Sequence, residues 1–302
     1  MRILLTGKDG QLGHDLQAQL SPGHEVIAYG RDTLDLEDSE AIRQTIYQVR
    51  PQVIVNAAAY TAVDRAESEP DKAHAINARA PQVMAEAAQA LQSAMVHVST
   101  DYVFDGQHNV PYQEEDETNP LGVYGYSKLL GEQGVQQFCD RHVILRTAWV
   151  YGVGGRGSFV KTMLRLGAER EELRVVVDQV GTPTWSGDLA QAIDKFIVGL
   201  CPHLPGQQPI VGTYHFTNSG AISWYDFAVA IFEEAGLLGF PLILQRVIPI
   251  TTAEYPTVAR RPAYSVLSGQ KTTAVLGAPA PHWRQGLRSM LCQLAKHQGV
   301  VV

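Results

Sequence analysis

Short β-branched runs alternate with longer segments of helical period along the first half of this 302-residue chain, and no other feature restricts the fold as strongly. Such alternation is typical of a parallel sheet whose right-handed crossovers place helices on both faces. The expected strands lie at residues 3–6, 26–29, 53–56, 95–99 and 143–146. The expected helices lie at residues 11–20, 39–49, 71–92 and 124–139, with Asp38 and Asp71 as caps and a kink or split at Pro81. The sequence therefore predicts a doubly wound α/β fold.

The alternation is less regular after residue 150. Helices are expected at 158–168, 187–200 and 224–235, strands at 174–177 and 214–216, and a polar, proline-rich stretch at 202–209. We predict a first domain of residues 1–150, completed by a segment within 178–217. The second is a smaller, mostly C-terminal α/β domain that comprises residues 151–177 and 218–302 and binds the substrate.

Composition limits the partners of the chain. The net charge is −7, so no broad positive surface is expected to hold nucleic acid or an anionic membrane. No apolar run approaches the ~20 residues that cross a bilayer, and the short β-rich start does not resemble a signal peptide. Cys139, Cys201 and Cys292 are few and widely spaced, which favours free thiols over disulfides. We expect a cytoplasmic protein without a membrane or nucleic-acid partner.

A glycine-rich segment follows the first expected strand and opens the first expected helix: Gly7-Lys8-Asp9-Gly10-Gln11-Leu12-Gly13. A dinucleotide site needs this context. Gly7 permits a tight turn, Gly10 lets the backbone approach a pyrophosphate, and Gly13 lets the helix pack on the strand. The spacing is GxxGxxG, whereas the commoner fingerprint is GxGxxG. Its position in the α/β pattern predicts a Rossmann-type dinucleotide-binding domain.

The end of the second expected strand bears on which dinucleotide is preferred. An acid there binds the ribose 2′-hydroxyl of NADH, and a base accepts the 2′-phosphate of NADPH. Arg31 favours NADPH because a guanidinium forms paired hydrogen bonds with phosphate. Asp32 favours NADH if it turns inward, and a third interpretation leaves both side chains in solvent. We predict NADPH, with NADH as the alternative.

Tyr124 and Lys128 are spaced four residues apart at the start of an expected helix, which places them on one face. A free tyrosine has a pKa of about 10, so it exchanges protons poorly at neutral pH unless a nearby positive charge stabilises its phenolate. Lys128 supplies that charge and can also hold the nicotinamide ribose. We predict that this pair transfers a proton to a ketone during its reduction.

Hydroxyl side chains end the fourth expected strand, at the carboxyl edge where ligands of open α/β sheets bind. We choose Thr100 as the donor that positions the ketone oxygen and shares its developing charge with Tyr124. Ser99 and Asp101 are the alternatives, and Asp101 is equally suited to cap a turn.

Five ordered blocks resemble the extended short-chain dehydrogenase/reductase superfamily: residues 55–67, 99–106, 124–132, 146–152 and 178–184. The resemblance spans most of the chain. It implies hydride transfer to C4 of a dTDP-linked dehydro sugar, with Tyr124 protonating the new alkoxide. It also implies that Gly10, Gln11 and Leu12 contact the pyrophosphate.

Further roles come from the same resemblance alone. The adenine of the cofactor would contact Asp35 and Leu36. The middle section of the cofactor would contact Ala57, Ala58 and Ala59. The sugar pocket would be lined by Thr61, Val63, Thr100, Asp101 and Trp149, although Trp149 is also typical of core packing. Arg260 or Arg261 would bind the diphosphate.

The resemblance leaves other properties open. Some relatives bind magnesium at a dimer contact, where this chain has Asp15, Asp188 and Gln293; two acids and an amide make a weaker site than three acids, and we predict no metal. We expect a monomer or homodimer. The alternatives to a reductase are a non-catalytic cofactor-binding regulatory subunit and a nucleotide-sugar epimerase or dehydratase with tightly held NAD.

Overall fold

The computed structural model describes residues 1–155, 157–201 and 209–299. The proline-rich stretch predicted at 202–209 lies outside these residues except for Pro209. Within them the strands are β1 (Arg2–Thr6), β2 (Glu25–Tyr29), β3 (Val53–Asn56), β4 (Ala94–Thr100), β5 (His142–Thr147), β6 (Val150–Tyr151), β7 (Glu172–Val176), β8 (Val180–Gly181), β9 (Thr184–Trp185), β10 (Gly212–His215), β11 (Ile222–Ser223) and β12 (Arg246–Ile250).

The helices of the same ranges are α1 (Gln11–Leu20), α2 (Ser39–Val49), α3 (Val63–Ala66), α4 (Pro70–His74), α5 (Ala80–Ala90), α6 (Val123–Phe138), α7 (Phe159–Glu169), α8 (Ser186–Leu200), α9 (Trp224–Leu237), α10 (Gln270–Leu276) and α11 (Trp283–Gln298). None is both long enough and apolar enough to cross a membrane. Their alternation with the first five strands confirms the predicted α/β fold.

Six strands form one parallel sheet in the order β10-β5-β4-β3-β1-β2. The inner strands are covered on both sides, which explains why they are nearly continuous apolar runs. Helices α1 and α8 pack on one face, and α2, α5 and α6 pack on the other. The sheet is therefore doubly wound, and its carboxyl edge lies open to the following loops.

A second apolar core lies among α7, α9, α11 and the parallel pair β7 and β12. Its largest buried side chains include Tyr151, Phe227 and Trp283. The segments that build this core are those assigned to the smaller unit, while β10 joins the first sheet. The division of the chain into two domains stays a prediction.

Two local predictions need correction. Asp38 caps α2, since its carboxylate accepts hydrogen bonds from two backbone amides. Asp71 does not cap a helix, because α4 begins at Pro70 and Asp71 lies in its first turn. The break predicted at Pro81 occurs earlier, as a π-helical turn at Ala75–Arg79. This wider turn accommodates a proline that cannot donate the next helical hydrogen bond.

Candidate active site

The glycine-rich turn between β1 and α1 leaves no room for side chains. Gly7 has a φ of +82°, and a Cβ added to it would lie 2.8 Å from the amide nitrogen of Ala58. Both the left-handed backbone and the close approach therefore require glycine. A Cβ on Gly13 would overlap the Gly7 carbonyl group. The Tyr29 carbonyl anchors the turn by accepting hydrogen bonds from the amides of Gly7 and Lys8 at 3.0 and 3.1 Å.

The first turn of α1 presents backbone amides at the carboxyl edge of the sheet. Gly10 precedes the helix and has no side chain to cap it, so the amides of Gln11, Leu12 and Gly13 are directed out of the helix end. Amides at a positive helix end fit the pyrophosphate of a dinucleotide. The backbone of residues 57–59 passes beside this turn, as the approach of Ala58 to Gly7 shows.

The end of β2 carries charged side chains near the same turn. Arg31 and Asp32 are both exposed. Asp32 is directed towards the turn, where its Oδ1 lies 3.4 Å from Lys8 Nζ. Asp35 is exposed, and Leu36 is half-buried against the core beneath the sheet. Two cations, Lys8 in the turn and Arg31 after β2, therefore lie near the end of β2.

Tyr124 and Lys128 lie one helical turn apart near the start of α6. Lys128 is only 1% exposed, and its Nζ donates to the Val98 carbonyl at 2.7 Å. The same Nζ lies 3.4 Å from His97 Nε2. Burial lowers the pKa of Lys128 to about 8, although the Glu132 carboxylate opposes this shift. The group can therefore exchange a proton close to neutral pH.

Tyr124 is half-buried, and its ring packs edge-to-face on Tyr102 with 5.4 Å between centroids. Burial raises the pKa of Tyr124 to about 12; a hydrogen bond with the Thr100 side chain lowers it, and the Asp101 charge raises it further. The phenol is therefore protonated at neutral pH, and its pKa is raised where the sequence had predicted a lowered one. This state suits a residue that donates a proton to a substrate.

Thr100 and Asp101 lie beside the tyrosine at the end of β4. Thr100 Oγ1 accepts from the Tyr102 amide at 3.2 Å and donates to Asp101 Oδ1 at 3.0 Å. Burial raises the pKa of Asp101 to about 6, and the hydroxyls of Ser265 and Thr100 oppose that shift. While Asp101 is ionised, its carboxylate accepts the hydrogen bond that we expected Thr100 to donate to a substrate ketone. The role predicted for Thr100 thus depends on the protonation of Asp101.

Arg261 brings the C-terminal segment to the site. Its guanidinium binds both carboxylate oxygens of Asp64 in α3, at 2.8 and 3.2 Å. The hydrogen bond from Arg261 is the main cause of the lowered pKa of Asp64. Arg260 is instead exposed. Sequence reasoning missed Asp64, although it lies within the block 55–67.

The other predicted sugar-pocket residues differ in their surroundings. Thr61 is exposed, and Val63 is half-buried in the first turn of α3. Trp149 follows β5 with a φ of +49°, and its ring stacks on Trp224 at 3.5 Å between centroids. The ring is partly exposed. Trp149 therefore joins the second apolar core to the carboxyl edge of β5.

Sequence reasoning also missed a buried polar row beneath Lys128. Thr6, Asn56 and His97 are cross-strand neighbours on β1, β3 and β4, and each is at most 2% exposed. Thr6 Oγ1 donates to Asn56 Oδ1 at 2.7 Å, and Asn56 Nδ2 lies 3.1 Å from His97 Nδ1. The available signal was a polar residue in each of three otherwise apolar runs.

Two of the three positions that resemble a magnesium site are bonded to other side chains. Asp15 accepts a hydrogen bond from the Ser186 hydroxyl, and Asp188 accepts one from Asn218 Nδ2 at 2.6 Å. Gln293 is exposed on α11. Across residues 1–155, 157–201 and 209–299, no group of three or more His, Cys, Asp or Glu side chains could hold a metal ion.

A nucleotide-binding turn and a tyrosine–lysine pair at one edge of a doubly wound sheet define a short-chain dehydrogenase/reductase, and so an oxidoreductase. The family described as "RmlD substrate binding domain" matches residues 1–296. The dTDP-4-dehydrorhamnose reductase of Escherichia coli K12 is 44% identical over 299 residues, which cover 97% of this chain and 98% of that protein. The chain belongs to this family of dTDP-4-dehydrorhamnose reductases.

Solved structures agree with this assignment. A dTDP-4-dehydrorhamnose reductase of Clostridium acetobutylicum is 40% identical with a TM-score of 0.88, and the match covers 97% of this chain and 99% of that one. The reductase of Bacillus anthracis, solved in complex with NADP, is 37% identical with a TM-score of 0.88 and the same coverage. The predictions of a Rossmann-type fold and of a reductase of this superfamily are confirmed.

Proposed function

We propose that this chain reduces the C4 ketone of dTDP-4-dehydro-β-L-rhamnose to dTDP-L-rhamnose with NAD(P)H, the last step in the synthesis of that nucleotide sugar. One observation carries the proposal: Tyr124 lies one helical turn from the buried Lys128, beside the hydroxyl of Thr100 at the carboxyl edge of the sheet. The identity of the substrate is inferred from the family to which the chain belongs.

Tyr124 acts as the acid. A nicotinamide dinucleotide, when bound, supplies the hydride that forms the new C–H bond at C4. Tyr124 gives its phenolic proton to the oxygen on C4, which becomes the product hydroxyl and leaves a phenolate. Lys128 then protonates that phenolate and recovers a proton from solvent. When Asp101 is protonated, Thr100 is free to donate to the ketone oxygen and position it. One hydride and one proton are consumed in each turnover.

The glycine turn fits the dinucleotide, because Gly7 and Gly13 admit no Cβ against the neighbouring backbone and the first turn of α1 directs its free amides outward. We assign the pyrophosphate to Gly7, Gly10, Gln11, Leu12 and Gly13, the cofactor's middle to Ala57, Ala58 and Ala59, and the adenine to Asp35 and Leu36. Asp32 is directed towards the turn, the orientation that favours NADH, but its carboxylate is bound there by Lys8, and the two cations Lys8 and Arg31 favour NADPH. Arg31 is exposed, and Lys8 lies within 3.4 Å of Asp32. A 2′-phosphate would replace Asp32 as the partner of Lys8, whereas NADH offers no such charge.

The opposite side of the site is assigned to the substrate. Arg261, held by Asp64, is suited to a diphosphate, and Arg260 is available at the exposed end of the same segment. The sugar pocket is assigned to Thr61, Val63, Thr100, Asp101 and Trp149. The predicted cytoplasmic location, the monomeric or homodimeric state and the two-domain division are retained with this proposal, and no magnesium site is assigned.

The proposal is tested by mixing purified protein, NADPH and dTDP-4-dehydro-L-rhamnose and following the loss of NADPH absorbance. We expect turnover, and a fall in kcat of about 100-fold or more in Tyr124→Phe, which lacks the acid. Tyr126→Phe is the matched control, because Tyr126 lies on the same helix but is 49% exposed. It should retain full activity.

Other outcomes favour the alternatives. No turnover with either NADPH or NADH would contradict the proposal and favour a regulatory subunit. NAD that stays bound through purification would favour an epimerase or dehydratase, although Asp101 is followed by Tyr102 and not by a second acid.

A further inference from the structure

The buried row of Thr6, Asn56 and His97 has a fixed hydrogen-bond direction. Asn56 Oδ1 lies 3.3 Å from the Ala58 amide, which can only donate, and 2.7 Å from the Thr6 hydroxyl. These two donors require the amide oxygen at that position. The Asn56 NH₂ group must then face His97, where it donates to Nδ1 across 3.1 Å.

The amide of Asn56 therefore determines the tautomer of His97. A ring nitrogen that accepts a hydrogen bond carries no proton, so the proton of the neutral imidazole is on Nε2. The ring stays neutral, because burial and the nearby Lys128 hold the pKa of His97 well below its usual value. His97 Nε2 is thus a donor, and it is directed at Lys128 Nζ from 3.4 Å.

A donor in this position distinguishes the two protonation states of Lys128. An ammonium group has three hydrogens and no lone pair, so it cannot accept from His97, whereas a neutral amine can. The Val98 carbonyl accepts from either state at 2.7 Å.

The other charged and titratable groups around Lys128 stabilise its ammonium form less than free charges would, because each is neutral or bonded to another group. Glu132, on the same helix, is bound by Arg146 of β5 at 2.7 Å. Tyr124 is neutral until it donates its proton, and Asp101 is bonded to Thr100. Within the described ranges, His97 is the titratable side chain that contacts the lysine nitrogen.

We propose that His97 is a positioning residue that stabilises the neutral amine of Lys128 after the Lys128 ammonium has donated a proton to the Tyr124 phenolate. This role of His97 rests on the proposed function, whereas the contact between His97 Nε2 and Lys128 Nζ does not. The proton leaves Nζ, an O–H bond forms on Tyr124, and the Nζ lone pair accepts from His97 Nε2–H. His97 keeps its own proton throughout, and no oxidant or reductant is needed.

The test is a direct titration of Lys128. Protein labelled with ¹³C at lysine Cε is followed by NMR from pH 6 to 11, with the Lys128 signal assigned by its absence in Lys128→Met. His97→Asn keeps an acceptor for Asn56 but is too short to reach Nζ, and His97→Leu removes both contacts. We expect either change to raise the Lys128 pKa by about 1 pH unit, on the scale of one hydrogen bond.

Thr6→Val is the matched control, because it removes a hydroxyl from the same row while the Ala58 amide still orients Asn56. The Lys128 pKa should stay at its parent value. Activity is lost as pH rises through this pKa, so the basic limb of kcat/KM should move upward in the His97 variants only. An unchanged Lys128 titration in both His97 variants would overturn the inference. A shifted titration in a protein without reductase activity would instead overturn the proposed function alone.

Discussion

Two buried cations occupy the same side of the sheet, and their partners differ. Arg146 is 5% exposed, and its guanidinium binds both oxygens of Glu132 at 2.7 to 3.1 Å. Lys128 is 1% exposed and, among the described residues, is bonded to a carbonyl and an imidazole but to no carboxylate. The first cation is neutralised and fixes structure. The second has its charged state destabilised, which makes its proton available for chemistry.

Breaking the neutralised pair should have the largest effect on stability. Glu132→Gln keeps the shape of the side chain but leaves Arg146 buried without its counter-charge. We expect the free energy of unfolding to fall by about 3 to 5 kcal/mol, as for other broken buried pairs. Chemical denaturation measures this loss. A fall below 1 kcal/mol would show that solvent or another group already balances Arg146.

The unpaired cation should behave in the opposite way. Lys128→Met removes a buried charge without stranding a counter-charge, so we expect the free energy of unfolding to stay equal or to rise. The value of kcat should fall by about 100-fold or more, because the Tyr124 phenolate is no longer reprotonated. Thermal unfolding and steady-state kinetics on the same preparation separate the two results. Loss of stability together with activity would place Lys128 with Arg146 as a structural residue.

Asp101 extends the comparison to a buried anion and gives a smaller, pH-dependent effect. Its pKa is raised to about 6 from 3.8, so the folded state prefers the protonated carboxyl. This preference stabilises the fold fully below pH 4 and is lost as pH rises through 6. Asp101→Asn should therefore raise the free energy of unfolding by about 3 kcal/mol above pH 7 and leave it unchanged below pH 4. Denaturation at both pH values checks the sign, and a gain of equal size at both would exclude the ionisation of Asp101 as its cause.

The features that depend on local pattern were accessible from the sequence. The alternation of apolar runs and helical segments predicted the sheet, and the glycine spacing predicted a turn in which Gly7 has a positive φ. The four-residue spacing of Tyr124 and Lys128 placed both on α6. Each follows from residues that are close together in the chain.

The features that depend on strand register were not accessible. Asn56 and His97 meet because β3 and β4 pair in one register, and Asp64 meets Arg261 across 197 residues of sequence. A polar residue in an apolar run indicates a buried partner but does not identify it. The bond from Thr100 to Asp101 was likewise hidden, because hydroxyl direction depends on which acceptors surround it.

Hydride transfer to the sugar is the central claim, and an isotope label tests it most directly. NADPH deuterated at both C4 positions is incubated with the protein and dTDP-4-dehydro-L-rhamnose, and the product is analysed by mass spectrometry and NMR. We predict one deuterium at C4 of dTDP-L-rhamnose for each NADPH consumed. Oxidation of NADPH with no deuterium at that carbon would contradict the proposed reaction.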